Sequence, residues 1–355
     1  MFIIIFLTTY LLLILIMIVI FFIIIERRKR YTVRLNTKRI LWNYALNECA
    51  QNKQYVLSKK HIKKLGKYIE LQAFFEECEL LSDTTFSEII NNNEDAIIKN
   101  IRKSRSKSLR AYFAYLVGNM KYVDMSTSHK FSLLFLDFLR ENSVFLIENS
   151  LKAIYKLGDV NLVIKAFEVL TLEDKYHNEK LISDGLVQFT GNVEVLNYKL
   201  LKSLRSFRTD LAEAIIAYWA HTNWHSCDET ISQMLWEEGT PIDVICAIVR
   251  KLGKNENQTN RNVIIDVVKH YMNLESCEPT IVGVTELGDY VNDIEINNLL
   301  LLTLTSSNWY VRINSAKALV KNGVSNITYN FINNCHDKYA KDAFNYALKI
   351  EGEKL

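Results

Sequence analysis

The residues best able to do chemistry in this 355-residue chain fall in two short windows. The first is His221-Thr222-Asn223-Trp224-His225-Ser226-Cys227. On an uninterrupted helix, histidines four apart project from one face, and the Cys227 thiolate would add a third zinc-type donor. Two features argue against that use. The window lies where a helical segment is expected to end, and the glutamate that a metalloprotease places between its histidines is missing. The expected role of His221, His225 and Cys227 is therefore turn and packing. The second window is Cys335-His336-Asp337, a nucleophile beside a base. Adjacent helical residues point in different directions, so a working dyad is not expected. No Gly-rich phosphate loop, Walker lysine or G-x-S-x-G elbow occurs. The six cysteines are scattered and form no C-x-x-C pair, which excludes a zinc ribbon and a thioredoxin-type site. The expectation is a protein with no catalytic residues, no cofactor and no metal.

Absent an active site, the elements themselves carry the information. Phe2 to Ile25 contains no charged residue, no Pro and no Gly. A helix of that length spans roughly 36 Å, against a hydrocarbon core of about 30 Å. Residues 1–25 are expected to form a single transmembrane helix. A cleaved signal peptide would need a basic start, a shorter apolar core and a small-residue cleavage site, and none is present. Arg27, Arg28, Lys29 and Arg30 follow at once. The positive-inside bias places them in the cytosol, with the N-terminus outside the cell membrane.

Two prolines and eleven glycines leave too few turns for a β-sandwich, and long amphipathic runs dominate, so the rest reads as all-α. The net charge of +3 conceals a gradient. From Glu26 to Arg110 the chain has 19 Lys/Arg against 10 Asp/Glu, and from Ala111 onward 24 against 30. The densest basic cluster is Lys99, Arg102, Lys103, Arg105, Lys107 and Arg110, which suits either a solvated surface or an anionic leaflet. Nucleic acid is not expected as a partner, because the domain is tethered and nearly neutral.

Helical segments recurrently end on small residues, at Gly118, Gly158, Gly191, Asn223, Gly253, Gly288 and Gly323. These positions suit the left-handed residue past a helix C-terminus. Their mean spacing is about 34 residues, the length of a helix–turn–helix repeat. One helix pair cannot bury both its apolar faces, so about eight antiparallel pairs are expected to stack as an α-solenoid over residues 85–355. Residues 26–84, with helices over Arg39 to Gln51 and His61 to Leu81, fit the repeat poorly and are expected to form a basic juxtamembrane neck and cap.

Within this array, Asn308-Trp309-Tyr310-Val311-Arg312-Ile313-Asn314-Ser315-Ala316-Lys317-Ala318-Leu319 resembles the second helix of a HEAT repeat. Val311 and Arg312 match the family's valine and arginine. Ser315, Ala316, Ala318 and Leu319 match its small and apolar positions, and Trp309 opens the helix. Asn308 stands where the family has Asp, so its carboxylate–arginine ladder is not assured here. Arg110 and Arg250 echo the arginine elsewhere. Tetratricopeptide repeats have the right length, but their Trp, Leu-Gly-Tyr and Pro positions do not recur. The resemblance implies an armadillo-like scaffold that binds a protein partner, here one at the membrane. Membrane-bound proteins of this design resemble accessory subunits of bacterial cell-surface polysaccharide synthases, which would make a glycosyltransferase the client. Two alternatives stand beside it: a lyase-type enzyme subunit with polar groups around His221, His225 and Arg250, and a sensor of anionic lipid.

Overall fold

The structure is a computed structural model that describes residues 2–120, 129–274, 277–324 and 326–352. Among the described residues there are nineteen α-helices and no β-strand. Contacts divide the chain into two compact units, one of residues 1–175 with 188–193 and one of residues 176–187 with 194–355.

Unit 1 opens on α1 (Phe2–Gln51), which runs unbroken through the apolar stretch and the basic cluster. It is long and apolar enough to cross a membrane, and its apolar window is buried against none of the described residues. The helix expected over Arg39 to Gln51 is thus the far end of α1, because no Gly or Pro intervenes to stop it. That far end is anchored: Trp42 and Leu46 are buried, and the Trp42 indole N–H donates to Glu70 at 3.0 Å. The single helix expected over His61 to Leu81 is instead two, α2 (Lys59–Lys64) and α3 (Tyr68–Cys78). They part around Gly66, a poor helix former, where the neighbouring Leu65 turns fully into the core.

There follow α4 (Asp83–Lys103), α5 (Lys107–Gly118), α6 (His129–Leu139), α7 (Val144–Leu157) and α8 (Val160–Leu172). Ser82, Ser106 and Asp159 cap α4, α5 and α8 by accepting from backbone N–H groups of the first turn. The end of α1, then α3, α5 and α7 lie side by side as one row, with α2, α4, α6 and α8 as the other. Between the rows runs a continuous aromatic core. Phe74, Phe75, Phe113, Phe135 and Phe138 are all buried and meet their successive neighbours at centroid distances of 5.3 to 6.2 Å.

Unit 2 contains α9 (Glu179–Val187), α10 (Val193–Ser203), α11 (Thr209–His221), α12 (Asp228–Met234), α13 (Ile242–Gly253), α14 (Gln258–Tyr271) and α15 (Glu278–Leu287). It closes with α16 (Ile294–Leu304), α17 (Trp309–Asn322), α18 (Asn326–Asn334) and α19 (Lys338–Gly352). Its odd-numbered helices from α9 to α19 pack each on the next; α14 lies against α13 and α15, α16 against α17, and α18 against α16.

Polar contacts recur at the repeat length inside each unit. Arg110 Nη2 meets Glu141 at 2.8 Å, 31 residues on, and Arg102 meets Asp137 at 2.6 Å, 35 residues on. In unit 2, Arg205 Nε meets Glu237 at 3.0 Å and Arg261 meets Asp293 at 2.5 Å, each 32 residues on. These separations are compatible with the spacing read from the glycines.

The reason for those glycines differs from the expected one. Gly158 (φ +70°) and Asn223 (φ +53°) do take the left-handed conformation past their helices. Gly118, Gly253 and Gly288 do not: each lies in or directly after a helix with right-handed backbone. They are small so that the next helix of the row can approach. A Cβ on Gly118 would stand 3.1 Å from the Ala153 backbone nitrogen, and one on Gly288 would stand 3.0 Å from Ala318 Cα. On Gly253 it would strike the Glu286 side chain. Gly191 lies in the loop after α9, where a Cβ would land on the Gly158 carbonyl.

Candidate functional site

The histidine window does not assemble a donor set. α11 stops at His221, Asn223 reverses the chain, and His225 opens a separate 3₁₀ turn, so the two rings share no helix face. Cys227 is fully buried and its thiol donates to the Trp224 carbonyl at 3.2 Å. Burial pushes that thiol up to about 12, so it is not a thiolate at neutral pH. Arg250 is exposed on α13. In the other window, Asp337 is used structurally. It accepts from the Tyr339 and Ala340 backbone N–H groups and lies 3.8 Å from Arg312, while Cys335 faces only the Asp337 carbonyl.

Beside His225 lies a buried polar cluster that no motif announces. Lys251 has no solvent exposure, and its Nζ donates to Asp228 Oδ1 at 2.7 Å and lies 3.4 Å from His225 Nδ1. Asn255 and Asn260 donate to Asp228 Oδ2 at 2.8 and 3.1 Å. Burial alone would raise the Asp228 carboxyl; the hydrogen bonds from Asn255, Lys251 and Asn260 outweigh it and hold the group below the ordinary carboxylate range. Every polar atom of the Asp228 carboxylate is thereby engaged. The cluster ties α12, α13 and the start of α14 together, and its residues are too far apart in sequence for spacing to reveal them.

In the HEAT-like window, Val311, Ala316 and Leu319 are buried, whereas Trp309 is 59% exposed at the helix start. Arg312 stacks over the Tyr339 ring at 5.4 Å as well as meeting Asp337. Arg110 in unit 1 does the same, lying 5.7 Å over Phe138 while it binds Glu141. A rung between an arginine and the next pair is thus made in both units, without Asn308, which caps α17. Arg27, Arg28, Lys29 and Arg30 are all exposed on α1, Arg30 pairing with Glu26 at 2.9 Å. Of the basic cluster, Arg102 and Arg110 are taken by Asp137 and Glu141, and Lys107 donates to the Asn142 carbonyl.

A trough of about 800 Å³ lies in unit 1, across α3, α5 and α7. Its lining is a helical stripe from each helix. α3 contributes Tyr68, Gln72 and Glu76, with Glu79 just past its end; α5 contributes Ser108, Tyr112 and Tyr115, with Asn119 just past its end; α7 contributes Phe145 and Asn149. The three tyrosines form a ladder, Tyr68 to Tyr112 at 5.2 Å and Tyr112 stacked on Tyr115 at 6.0 Å with 13° between planes. Phe145 is 75% exposed at the rim. Burial, reinforced by Tyr31, Glu76 and its tyrosine neighbours, raises the Tyr112 hydroxyl well above the ordinary phenol range, so it stays neutral. Tyr31 of α1 donates to Gln72 Oε1 at 2.5 Å, and Gln72 donates on to Glu76 Oε1 at 2.7 Å. The trough offers π faces, amides and two carboxylates, and holds no nucleophile–base pair among its lining residues. Tyrosines at i, i+3 and one aromatic rim residue per repeat were the available sequence signal. It is weak, because buried core aromatics follow the same spacing.

Unit 2 carries acids near the starts of successive helices, at Glu179, Glu213 and Asp243. Burial first, then Glu179 and Asp243, raise the Glu213 carboxyl to about 7.

No protein-family model matches this chain, and no curated protein sequence matches it.

Proposed function

We propose that this protein is a membrane-anchored, non-catalytic helical-repeat scaffold, with α1 in the bilayer, its N-terminus outside and the two helical units on the cytosolic side. The stacking of helices at a period of about 34 residues supports a HEAT-like solenoid. Support for an anchor over a cleaved leader comes from the continuity of α1. The helix carries the apolar stretch without interruption into the turns that bury Trp42 and Leu46 against unit 1. A leader peptidase needs an extended small-residue segment, and residues 24–38 provide none.

One observation carries the binding role: the aromatic trough on α3, α5 and α7, which displays Phe145 and three tyrosines to solvent with no catalytic pair beside them. Exposed aromatic surface in a concavity is characteristic of a recognition site. Three of the six clustered bases are already bound within unit 1, which disfavours the lipid-sensor alternative. His221 and His225 share no helix face and Arg250 is exposed on α13, which disfavours the lyase-type alternative.

The test is to cross-link native membranes, isolate the full-length protein and map the linked peptides. Cross-links from α3, α5 and α7 to one recurrent membrane protein are the expected result. Recovery with lipid alone would overturn the scaffold reading.

A further inference from the structure

We propose that the trough across α3, α5 and α7 takes a Lys- or Arg-bearing segment of a membrane protein, at the point where that segment leaves the bilayer. This deepens the scaffold reading and rests on its placement of α1 in the membrane.

Charge selects the class of occupant. Residues 26–110 are the most basic part of the chain, yet the charged residues lining the trough are Glu76 and Glu79, with no Lys or Arg among them. A phosphate or an anionic headgroup would meet two carboxylates and no Lys or Arg in the lining. Glu79 forms no ion pair among the described residues, whereas Glu76 accepts from Gln72 and pairs with Arg39 at 3.5 Å. An incoming ammonium or guanidinium would give Glu79 a partner. The tyrosine ladder fits the same occupant. Tyr68, Tyr112 and Tyr115 present faces on which cations and their methylene stems rest. Phe145 adds apolar contact for residues between the charges.

Position selects the source. Tyr31, whose hydroxyl bonds Gln72 in the trough wall, lies six residues beyond Ile25, the last of the apolar run. At 1.5 Å per residue that is about 9 Å of helix. The trough therefore opens close to the membrane surface. Cytosolic flanks of transmembrane helices are enriched in Lys and Arg, so the segments within reach have the required chemistry.

The experiment uses the full chain in nanodiscs of neutral phosphatidylcholine. Fluorescent peptides of alternating Lys and Leu, and of alternating Glu and Leu, are titrated and followed by anisotropy. The Lys peptide is expected to bind saturably and the Glu peptide not to bind. Phe145→Ala and the double change Glu76→Gln with Glu79→Gln should each weaken the Lys peptide by about tenfold, as loss of a hot-spot contact does. Phe145 is mostly exposed, so its loss leaves the fold intact, which circular dichroism verifies. Equal binding of both peptides, no binding, or binding indifferent to both variants would overturn the proposal. So would a Phe145-dependent interaction with phosphatidylserine vesicles or with a neutral oligosaccharide, which would assign the trough to lipid or glycan. Membrane placement is read separately, by alkaline extraction of the same protein. Its failure would remove the source argued here while the peptide titration still reports the trough's chemistry.

Discussion

Lys251 keeps its ammonium group where no water reaches it, held by Asp228 and supported by Asn255 and Asn260. Removing one member of a buried pair leaves the other uncompensated, at a cost of about 3–5 kcal/mol. Lys251→Met should fall near the lower end, about 3 kcal/mol, because two amides still serve Asp228. Hydrogen exchange on the full-length protein should show α13 and α14 losing protection together. Glu213 gives a pH-dependent counterpart. Its folded carboxyl titrates at about 7 against an ordinary 4.5, so between those values the folded state holds a proton that the unfolded state has released. Stability therefore falls as pH rises from 4.5 to 7 and is flat above. Glu213→Gln should abolish that slope and be the more stable form at pH 8, by on the order of 1 kcal/mol once solvent screening is allowed for. Exchange rates across α11 at the two pH extremes would check the sign. Residues of this kind were hidden in the sequence. Asp228 and Lys251 belong to no motif, and their burial follows from how α12, α13 and α14 cross. Arg312 was legible because its place in the helix pattern is local.

At the scale of elements, the sequence revealed period better than boundary. The small residues near helix ends recur at a spacing that the contacts between helices are compatible with, although four of the seven are small for packing, and Gly158, Asn223 and Gly323 for backbone geometry. The two causes predict different outcomes. Alanine at Gly288 gains helix propensity of about 1 kcal/mol but places its Cβ 3.0 Å from Ala318 Cα. Backbone cannot yield as a side chain can, so overpacking by about 1–3 kcal/mol should win, and Gly288→Ala should be destabilising. A lowered thermal midpoint for the full-length protein is the expected readout. If approach between α15 and α17 were unimportant, the midpoint would rise instead. Helix limits were legible where a side chain decides them, as with Asn308, which caps α17. They were missed where tertiary packing decides, as at Leu65 and Gly66, where a core leucine interrupts an otherwise helical run. The trough was missed for a related reason. Its tyrosines follow ordinary helical spacing, and only the packing of α3, α5 and α7 leaves them open.

For the whole molecule, the proposed function combines an apolar stretch of α1 that is buried against none of the described residues with the proposed recognition trough of unit 1. In the proposed topology the basic residues after the apolar stretch act by their charge alone, being exposed and, apart from the Arg30–Glu26 pair, free of ion pairs among the described residues. Replacing Arg27, Arg28, Lys29 and Arg30 with Gln should therefore leave the fold unchanged and produce a mixed topology. Everything else assigned to the molecule depends on α1 staying attached and in the bilayer. The direct measurement is protease accessibility of the full-length protein in sealed vesicles of both orientations, with the intact mass of the membrane-bound chain. The account predicts a chain that retains residues 1–25, resists alkaline extraction, and loses its helical units only in inverted vesicles. A chain that ends its N-terminus near Glu26 and is released in soluble form, or one digested from the outer face, would contradict it.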